Sequence, residues 1–287
     1  MIDFAVETSR NETLPDKLFQ KLSELIYCQC GIKMPMSKKT MLQARLQKRM
    51  RKLGIRTFNK YCDYLFSSRG MEKELIHMID VVTTNKTDFF RESKHFEFLT
   101  CRVLPELVQA QTTVRKRVKV WSAGCSTGEE PYTLAMVLED FTEQVEGFSY
   151  SILATDISTK VLEIAKTGIY ESEKIEPVPP HFKKKYLLRS KDRKKDLVRI
   201  VPELRSRVLF QRLNFMYKDF GLSEPMDVIF CRNVMIYFDR ETQEKLLKRF
   251  CKNLSNSGYV FIGHSETLHG LDVPLAMVSP TVYRKIS

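Results

Sequence analysis

A loop of small residues lies between an apolar segment and an amphipathic segment near the middle of the chain. The apolar run VKVW occupies 118–121, and GCSTG follows at 124–128. Pro131 begins a pattern that predicts a helix over 132–141. When a strand passes into a helix through small residues, backbone N–H groups and the positive end of the helix come close to a ligand. We therefore expect the loop, which begins at Gly124, to bind a small molecule.

Two glutamates after this loop restrict the kind of ligand. Glu129 and Glu130 fall in the first turn of the predicted helix, where they would repel a phosphate. In addition, Ser126 stands where the dinucleotide-binding pattern has a glycine. A ligand with a cation, an amine and hydroxyl groups suits these residues better than a pyrophosphate does. S-adenosylmethionine (AdoMet) is such a ligand, because it carries a sulfonium, an amine and a ribose.

The same loop spells G-x-S-x-G, which is the nucleophile motif of serine hydrolases. A hydrolase would need several strands before the motif, and an acid and a histidine after it. His264 is available downstream, but the chain before residue 118 predicts helices. The sequence therefore disfavours a hydrolase.

Polar residues follow three further segments that predict strands, at the point where each segment ends. Asp156 follows 149–155, and its carboxylate can accept both hydroxyls of a ribose. Asn214 follows the next strand, and its amide offers a donor and an acceptor to an adenine edge. Arg232 and Asn233 follow the third, at the end expected to face the sulfonium and the substrate. Because ligands of open α/β sheets lie at the carboxyl ends of the strands, these residues together predict an AdoMet site.

The segments after the loop alternate between strands and helices. Strands are predicted over 149–155, 208–212, 226–230 and 259–263, and helices over 159–166 and 241–254. This alternation indicates an α/β fold with a doubly wound, Rossmann-like parallel sheet of the AdoMet-dependent methyltransferase type. Two short segments, 275–278 and 281–286, predict a closing antiparallel hairpin.

The N-terminal part of the chain predicts an all-helical domain with a basic side. Four helices are expected, over 14–30, 38–53, 58–66 and 75–82. Ser37 is the predicted N-cap of the second helix. Arg45, Arg49 and Lys52 share one face of that helix, and the whole stretch from 33 to 62 lacks Asp and Glu. Because solvated helix faces normally mix charges, we expect this face to dock an acidic partner.

The segment 81–93, VVTTNKTDFFRES, is typical of a linker, because its threonines and asparagine are poor helix formers. Thr87 or Asp88 is predicted to cap the helix that follows. The two phenylalanines at 89–90 are expected to anchor the linker by burial. Arg91 stands beside them in a polar loop, which makes it a candidate functional residue.

We expect two domains, a basic helical domain at 1–82 and an AdoMet-binding domain at 83–287. A small β subdomain is predicted as an insertion at 176–207. Three prolines exclude a helix at the start of this insertion. The insertion is rich in Lys and Arg, and 197–201 predicts a short strand. We interpret it as a basic antiparallel patch and as a second candidate docking surface.

The composition limits the class of protein and its compartment. A formal net charge of +12 indicates an acidic partner, and 43% hydrophobic residues is typical of a globular protein. No apolar run is long enough for a membrane span, and the polar N-terminus MIDFAVETSRNE is unlike a signal peptide. The seven cysteines lack CxxC spacing and histidines at ligand spacing. We therefore expect free thiols, no metal site and a cytoplasmic protein.

Five motifs in this order resemble the CheR-type methyltransferases, which methylate glutamates on bacterial chemoreceptors. They are TTNKTDFFRE, WSAGCSTGEEPYTLAM, ATDIS, CRNVMIYF and GHSE, and the resemblance covers about the whole chain. It implies a protein-glutamate O-methyltransferase of chemotaxis that converts AdoMet into S-adenosylhomocysteine (AdoHcy). The residues that it implies for AdoMet binding are Asn85, Thr87, Arg91, Glu129, Asp156, Asn214, Leu213 or Phe215, Arg232 and Asn233. It also implies that the basic helix meets acidic receptor helices and, in some members, that the β insertion holds a receptor C-terminal peptide.

Methyl transfer to a glutamate makes few demands on proton transfer. The reference pKa of glutamate is about 4.3, so the carboxylate is already ionised and needs no general base. Its oxygen attacks the methyl group in line with the sulfonium, and the enzyme must supply alignment and a dry site. Arg91 and Tyr237 are the candidate catalytic residues for holding the carboxylate in that geometry.

Two alternative functions stay open. A nucleic-acid methyltransferase fits the charge, but Arg232-Asn-Val-Met lacks the two prolines and the aromatic residue that usually accompany base methylation. The basic residues of the insertion also lack interleaved aromatics for base stacking. A non-catalytic adaptor that senses AdoMet is the other alternative, but the intact motifs of this chain argue against it. We expect a monomer, with no nucleic-acid partner and no membrane insertion.

Overall fold

The computed structural model describes residues 12–192 and 194–286. The polar N-terminal segment 1–11, Arg193 of the basic insertion and Ser287 lie outside the described residues. The chain divides into two compact units, Met1–Thr83 and Thr84–Ser287. The first unit is helical, and the second contains two sheets.

The first unit consists of short amphipathic helices. They are α1 (Asp16–Cys30), α2 (Lys39–Leu53), α3 (Phe58–Leu65), α4 (Ser68–Lys73) and α5 (Leu75–Val82). The four predicted helices are confirmed, whereas α4 was missed because its sequence SRGMEK has no apolar stripe. Ser37 is not the N-cap of α2, because it lies inside a 3-10 turn and the helix begins at Lys39. Gly54 ends α2 in the left-handed conformation, with a φ of 69°.

Two of the three basic residues on the predicted docking face of α2 are bonded inside this unit. Arg49 donates from Nε and Nη2 to the two carboxylate oxygens of the buried Glu74, at 2.9 and 2.6 Å. Arg45 donates to two backbone carbonyls at the end of α5. A buried carboxylate requires a cation, which explains the position of Arg49. Lys52 is exposed, whereas Arg45 and Arg49 are half-buried and stabilise the helical unit, and the docking role of this face stays a prediction.

The second unit is built on a mixed sheet. Its strands in chain order are β1 (Lys116–Ala123), β2 (Phe148–Asp156), β3 (Ile169–Glu171), β4 (Leu187–Arg189), β5 (Leu197–Ile200), β6 (Val208–Arg212), β7 (Met226–Cys231), β8 (Leu254–Ile262), β9 (Leu275–Ser279) and β10 (Val282–Lys285). The main sheet has the order β6-β2-β1-β7-β8-β10-β9. Pairs from β6 to β8 are parallel, and β10 is antiparallel to both of its neighbours. The predicted α/β fold and its closing hairpin are confirmed.

Helices cover the sheet of the second unit. They are α6 (Lys94–Phe98), α7 (Leu104–Gln109), α8 (Glu129–Gln144), α9 (Thr159–Thr167), α10 (Pro180–Tyr186), α11 (Pro202–Ser206) and α12 (Arg240–Lys252), and a π-helical turn joins α6 to α7. Trp121 on β1 is fully buried and packs edge-on against Phe250, with ring centroids 5.1 Å apart. This packing fixes the strand that carries the loop. Within residues 12–192 and 194–286, no helix has both the length and the apolar character of a membrane span.

The basic insertion contains a helix as well as strands. β3, β5 and β4 form a separate antiparallel sheet, and β5 confirms the strand predicted at 197–201. The expectation that prolines exclude a helix here is wrong, because α10 begins at Pro180. Proline is favoured at the first helical position, where its missing N–H has no partner to lose. β3 precedes the boundary predicted at 176.

The linker before α6 forms turns rather than a helix start. Neither Thr87 nor Asp88 caps α6, because tight turns intervene before the helix begins. Phe90 and Glu92 have φ values of 53° and 55°, which an α-helix cannot accommodate. Phe89 is fully buried, so the predicted anchoring of the linker is confirmed at that ring.

Candidate functional site

The loop between β1 and α8 has a geometry that its glycines permit. Gly124 has a φ of 88°, and a Cβ added there would lie 2.5 Å from Cγ2 of Val234. Gly128 has a φ of 98° and directly precedes the first turn of α8. Glycine adopts such conformations without the steric cost that other residues incur. The predicted passage from strand through loop to helix is therefore confirmed.

Asp156 ends β2 and fixes the conformation of this loop. Its Oδ2 accepts the backbone N–H of Ser126 and its Oδ1 accepts that of Ser158, each at 2.9 Å. The residue is 8% exposed. A carboxylate offers about four acceptor positions and is a type of group that accepts the hydroxyls of a ribose. The structure thus brings Asp156 and the small-residue loop together.

Asn214 follows β6, next to β2 in the sheet. Its Oδ1 accepts the backbone N–H of Met216 at 3.0 Å, so the amide oxygen already has a protein partner. Leu213 is buried and donates its N–H to the backbone oxygen of Asp156 at 3.0 Å. The ring of Phe215 packs against Phe250 in the core, with ring centroids 5.8 Å apart. The Phe215 ring is thus part of the core.

The two glutamates at the start of α8 are embedded in the protein. Glu129 accepts a hydrogen bond from Thr127 Oγ1 at 2.6 Å, and Glu130 accepts one from Ser122 Oγ at 2.7 Å. Burial raises the pKa of both carboxyls, and nearby Arg232 opposes the shift at Glu130. A buried carboxylate that lacks a strong cation partner favours a ligand with positive charge or hydroxyl donors. This property suits the role predicted for Glu129.

Arg232 is bonded within the protein. Its side chain is 2% exposed and pairs with Glu92 Oε2 at 3.0 Å and with Glu130 Oε2 at 3.4 Å. It also donates to the backbone oxygen of Arg91. These bonds connect the end of β7 to the linker and to α8. The predicted position of Arg232 at the end that faces the sulfonium and the substrate stays a prediction, and these partners were not predicted from the sequence.

Glu92 also contacts two histidines. Burial raises the pKa of its carboxyl, but Arg232 and the backbone N–H of His264 outweigh burial and hold that pKa below its usual value. Burial, together with Arg232, lowers the pKa of His95 to about 4. The His95 ring is therefore neutral near pH 7.

The predicted residues of the linker lie close to the small-residue loop. Ser126 Oγ donates to the backbone oxygen of Asn85 at 2.8 Å, and the N–H of Phe90 donates to Thr133 Oγ1 on α8 at 3.1 Å. Asn85 and Thr87 are both half-buried. Backbone groups of the linker thus bond a side chain of the loop and a side chain of α8 directly.

The two predicted catalytic residues lie on different segments of the second unit. Arg91 is half-buried, and its Nη1 donates to the backbone oxygen of Lys86 at 3.2 Å. Tyr237 is also half-buried and ends the 3-10 turn Met235–Tyr237 that follows β7. Arg232 connects the two segments, because it lies at the start of the segment that contains Tyr237 and its side chain donates to the backbone oxygen of Arg91.

Glu266 is a structural residue that the sequence analysis missed. Its buried carboxylate accepts the backbone N–H groups of Gly263 at 2.6 Å, Asn233 at 2.9 Å and Ile236 at 3.3 Å. Asn233 has a φ of 59°, a strained conformation that these bonds support. A Cβ at Gly263 would lie 2.5 Å from Nδ2 of Asn233. The GHSE motif contains both Gly263 and Glu266, and it was the available sequence signal.

The polar groups of this region share one edge of the sheet. The loop, Asp156, Asn214 and Asn233 follow β1, β2, β6 and β7, which are adjacent parallel strands. Their carboxyl ends therefore meet at the same edge, where a ligand of an α/β sheet binds. The acceptors at this edge suit a ligand with ribose hydroxyls, an amine and positive charge.

Comparison with known families gives two matches along the chain. Residues 17–83 match the family described as CheR methyltransferase, all-alpha domain. Residues 85–284 match the family described as CheR methyltransferase, SAM binding domain, where SAM is AdoMet. The two matches follow one another in the order of the two structural units.

Three curated relatives are named chemotaxis protein methyltransferase. The protein of Borreliella burgdorferi is 41% identical over 92% of this chain and 93% of its own length. The protein of Escherichia coli is 39% identical over 94% of this chain and 91% of its own length. Chemotaxis protein methyltransferase 2 of Pseudomonas aeruginosa is 38% identical over 92% of this chain and 91% of its own length. These similarities extend over both structural units.

Proposed function

The chain belongs to the CheR methyltransferase family, and from this premise we propose that it methylates glutamate side chains of bacterial chemoreceptors in the adaptation of chemotaxis. AdoMet donates the methyl group, and the products are a γ-glutamyl methyl ester and AdoHcy. The observation that carries the proposal is the pair of bonds by which Asp156 fixes the loop at a strand end. This arrangement supports a nucleoside site at the edge where the parallel strands end. The enzyme is proposed to be a cytoplasmic monomer.

The cofactor is proposed to bind along the edge formed by β6, β2, β1 and β7. Asp156 accepts the ribose hydroxyls, and Asn214, whose Oδ1 also accepts Met216 N–H, reads the adenine edge through its amide. Glu129 favours the cationic part of the ligand. Phe215 contributes backbone groups only, since its ring lies in the core.

The remaining cofactor residues are proposed to shape the site around the methyl group. The positive φ of Gly124 lets the loop backbone approach the ligand. Asn85 and Thr87 supply polar groups from the linker, and Asn233 supplies an amide after β7. Arg232 acts through the bonds that hold the linker against α8 rather than by touching AdoMet.

Alignment of the receptor carboxylate is the main contribution to catalysis in this proposal. The substrate glutamate is ionised near pH 7, so the chemical step requires an in-line approach and exclusion of water. Arg91 is proposed to orient the carboxylate without neutralising it fully, because a tight ion pair would weaken the nucleophile. Tyr237, in the turn after β7, is proposed to help hold the carboxylate in line with the methyl group and the sulfonium. If Arg91→Ala kept near-normal turnover with unchanged AdoMet binding, the role of Arg91 would be wrong.

The receptor is proposed to dock on the exposed basic residues of α2. Lys48, Arg51 and Lys52 are exposed, and the acidic helices of a receptor supply the complementary charge. The basic insertion is a second proposed surface, which would hold a receptor C-terminal peptide. A protein with both surfaces would bind receptors more tightly in low salt than in high salt.

A methyl-transfer assay tests this function directly. Purified protein, labelled AdoMet and a cytoplasmic receptor fragment should give base-labile methyl esters on the receptor. Asp156→Asn should weaken AdoMet binding about tenfold or more, because one of the two buried carboxylate oxygens, which accept hydrogen bonds, is replaced by an NH₂ group that can only donate. Asp196→Asn, at an exposed aspartate of the same unit, is the matched control and should bind AdoMet normally.

The outcomes separate the proposed function from its alternatives. Transfer of label to RNA instead of to the receptor would indicate a nucleic-acid methyltransferase. AdoMet binding without transfer to any receptor would indicate an adaptor. Unchanged AdoMet affinity in Asp156→Asn would contradict the proposed cofactor site even if methyl transfer occurred.

A further inference from the structure

A carboxylate and two histidines meet next to the buried Arg232. Glu92 Oε2 lies 3.5 Å from Nδ1 of His95 and 4.0 Å from Nε2 of His264. One donor atom from each of these side chains lies within 4.8 Å of the other two. Glu92 and His95 are three residues apart in sequence, at the end of the linker and the start of α6, and the fold brings His264 to them from the segment after β8.

The second contact of the Thr281 hydroxyl assigns the proton to one ring nitrogen of His95. Thr281 Oγ1 donates to the backbone oxygen of Pro280 at 2.7 Å, so toward His95 it acts as the acceptor. Nε2 of His95, at 2.7 Å from the same hydroxyl, is therefore the donor. Nδ1 consequently has a lone pair in the neutral ring, and it is a buried atom without a hydrogen-bond partner among the described residues.

This lone pair faces a second electron-rich atom. Glu92 Oε2 and His95 Nδ1 are both acceptors, and 3.5 Å separates them. A buried acceptor that faces another acceptor is costly unless a cation lies between the two. His95 is 2% exposed, so bulk water does not donate a hydrogen bond to its Nδ1.

The spacing of the three donor atoms fits a tetrahedral metal ion. Ligand distances of about 2.0 to 2.1 Å require neighbouring donors to be about 3.3 Å apart. The distances from Glu92 Oε2 are 3.5 and 4.0 Å, and all three ligand atoms lie within 4.8 Å of one another. The side chain of His264 is 54% exposed, so its ring can move inward to reach the ligand distances. The same exposure provides a path for the ion from solvent.

The surrounding groups match those that support metal ligands. A ligating histidine normally donates its other ring N–H to an oxygen, as His95 does to Thr281. A ligating carboxylate normally accepts further hydrogen bonds, as Glu92 does from Arg232 and from the backbone N–H of His264. The positive charge of Arg232 disfavours a second cation nearby, but Glu130, at 3.4 Å, partly neutralises that charge.

We propose that Glu92, His95 and His264 form a binding site for a divalent transition-metal ion such as Zn²⁺, with the fourth position open to solvent. Two histidines and one carboxylate are a ligand set that proteins use for zinc. The bound ion would hold the segment after β8 against the linker. The site does not depend on AdoMet binding or on methyl transfer.

Titration of metal-free, full-length protein with Zn²⁺ tests the site. Calorimetry should show one bound Zn²⁺ ion per chain. His264→Ala should weaken Zn²⁺ binding by more than about 10- to 100-fold, because losing a group that only supports a metal ligand usually costs that much. His264 is exposed, so this variant should fold normally. His269→Ala, at an exposed histidine of the same segment, is the matched control and should bind like the parent.

Two further measurements separate this site from adventitious binding to the free cysteines. Cobalt bound at Glu92, His95 and His264 should show visible d–d bands without a thiolate charge-transfer band. Thr281→Val should weaken binding about 10- to 100-fold, and Thr281→Ser should restore it, because only the hydroxyl accepts the His95 N–H. Absence of stoichiometric binding, a thiolate band, or equal affinity in His264→Ala and His269→Ala would each overturn the proposal.

Discussion

Replacement of Arg232 by methionine is expected to destabilise the second unit by about 3 to 5 kcal/mol near pH 7. The Arg232 side chain is 2% exposed, and its partners Glu92 and Glu130 are 12% and 14% exposed. Methionine fills much of the volume but leaves two embedded carboxylates without a cation, and breaking such a buried pair costs about this much. Arg284→Met is the matched control, because the ion pair of Arg284 with Glu106 is 3.9 Å long and 44 to 47% exposed. A surface pair of this kind contributes at most about 1 kcal/mol.

The loss should depend on pH with a defined sign. The pKa of Glu92 is lowered in the folded protein, so its contribution to stability is present above the ordinary value of 4.5 and is lost as pH falls through the folded pKa. Without Arg232, burial dominates and raises that pKa, so the variant takes up a proton at a higher pH than the parent does. The difference in unfolding free energy should therefore be largest near pH 7 and shrink as the pH falls toward 4.5.

Urea denaturation followed by tryptophan fluorescence is a suitable assay. The chain has one tryptophan, Trp121, which lies in the core of the second unit, so the signal reports this unit selectively. A difference below about 1 kcal/mol at pH 7, equal to that of Arg284→Met, would refute the reasoning. A difference that grew on acidification would refute the assignment of Glu92 as the titrating partner.

Three further predictions concern the loops and the basic helix. Gly263→Ala should lower the AdoMet affinity, and it should lower the free energy of unfolding by about 1 to 3 kcal/mol, because the backbone N of Asn233 must move from 2.8 Å to at least 3.4 Å from the new Cβ. Calorimetry measures the first effect and urea denaturation the second. Unchanged values would contradict the predicted clash. Gly124→Ala should destabilise by about 1 to 3 kcal/mol through its contact with Val234, and Val234→Ala in the same chain should recover part of the loss, although the positive φ keeps recovery incomplete; full recovery would argue against strain. Lys52→Glu should weaken binding of a receptor fragment at low salt while AdoMet affinity stays unchanged, and an unaffected receptor affinity would remove α2 from the docking surface.

The strand-end residues could be predicted because their signal is local. An apolar segment followed by a polar residue indicates both a strand and its end, which is how Asp156 and Asn214 were found. Adjacent parallel strands then bring such residues to one edge without further information. The role of Arg232 has no local signal, because its partners Glu92 and Glu130 are 140 and 102 residues away in sequence. Only the folded arrangement shows that its guanidinium is already bonded.

Errors at helix starts came from residues that can act in more than one way. Ser37 is a good N-cap by type, but a 3-10 turn occupies its position. Pro180 excludes the interior of a helix, yet it favours the first helical position that it occupies. On α2, Arg49 has the spacing of a solvated face, but the buried Glu74 determines its orientation. In each case the residue type permits two arrangements, and for Arg49 a neighbour that is distant in sequence decides between them.

Strained backbone near the proposed cofactor edge is held by buried carboxylates. Ser126 and Asn233 have positive φ values of 49° and 59°, although neither is a glycine. The backbone N–H of Ser126 donates to Asp156, and that of Asn233 donates to Glu266. A carboxylate can only accept, so each side chain stabilises the one backbone orientation that turns the N–H toward it. The strain is therefore maintained by buried charge rather than by shape, and an amide of equal size at either position would supply a donor where the loop requires an acceptor.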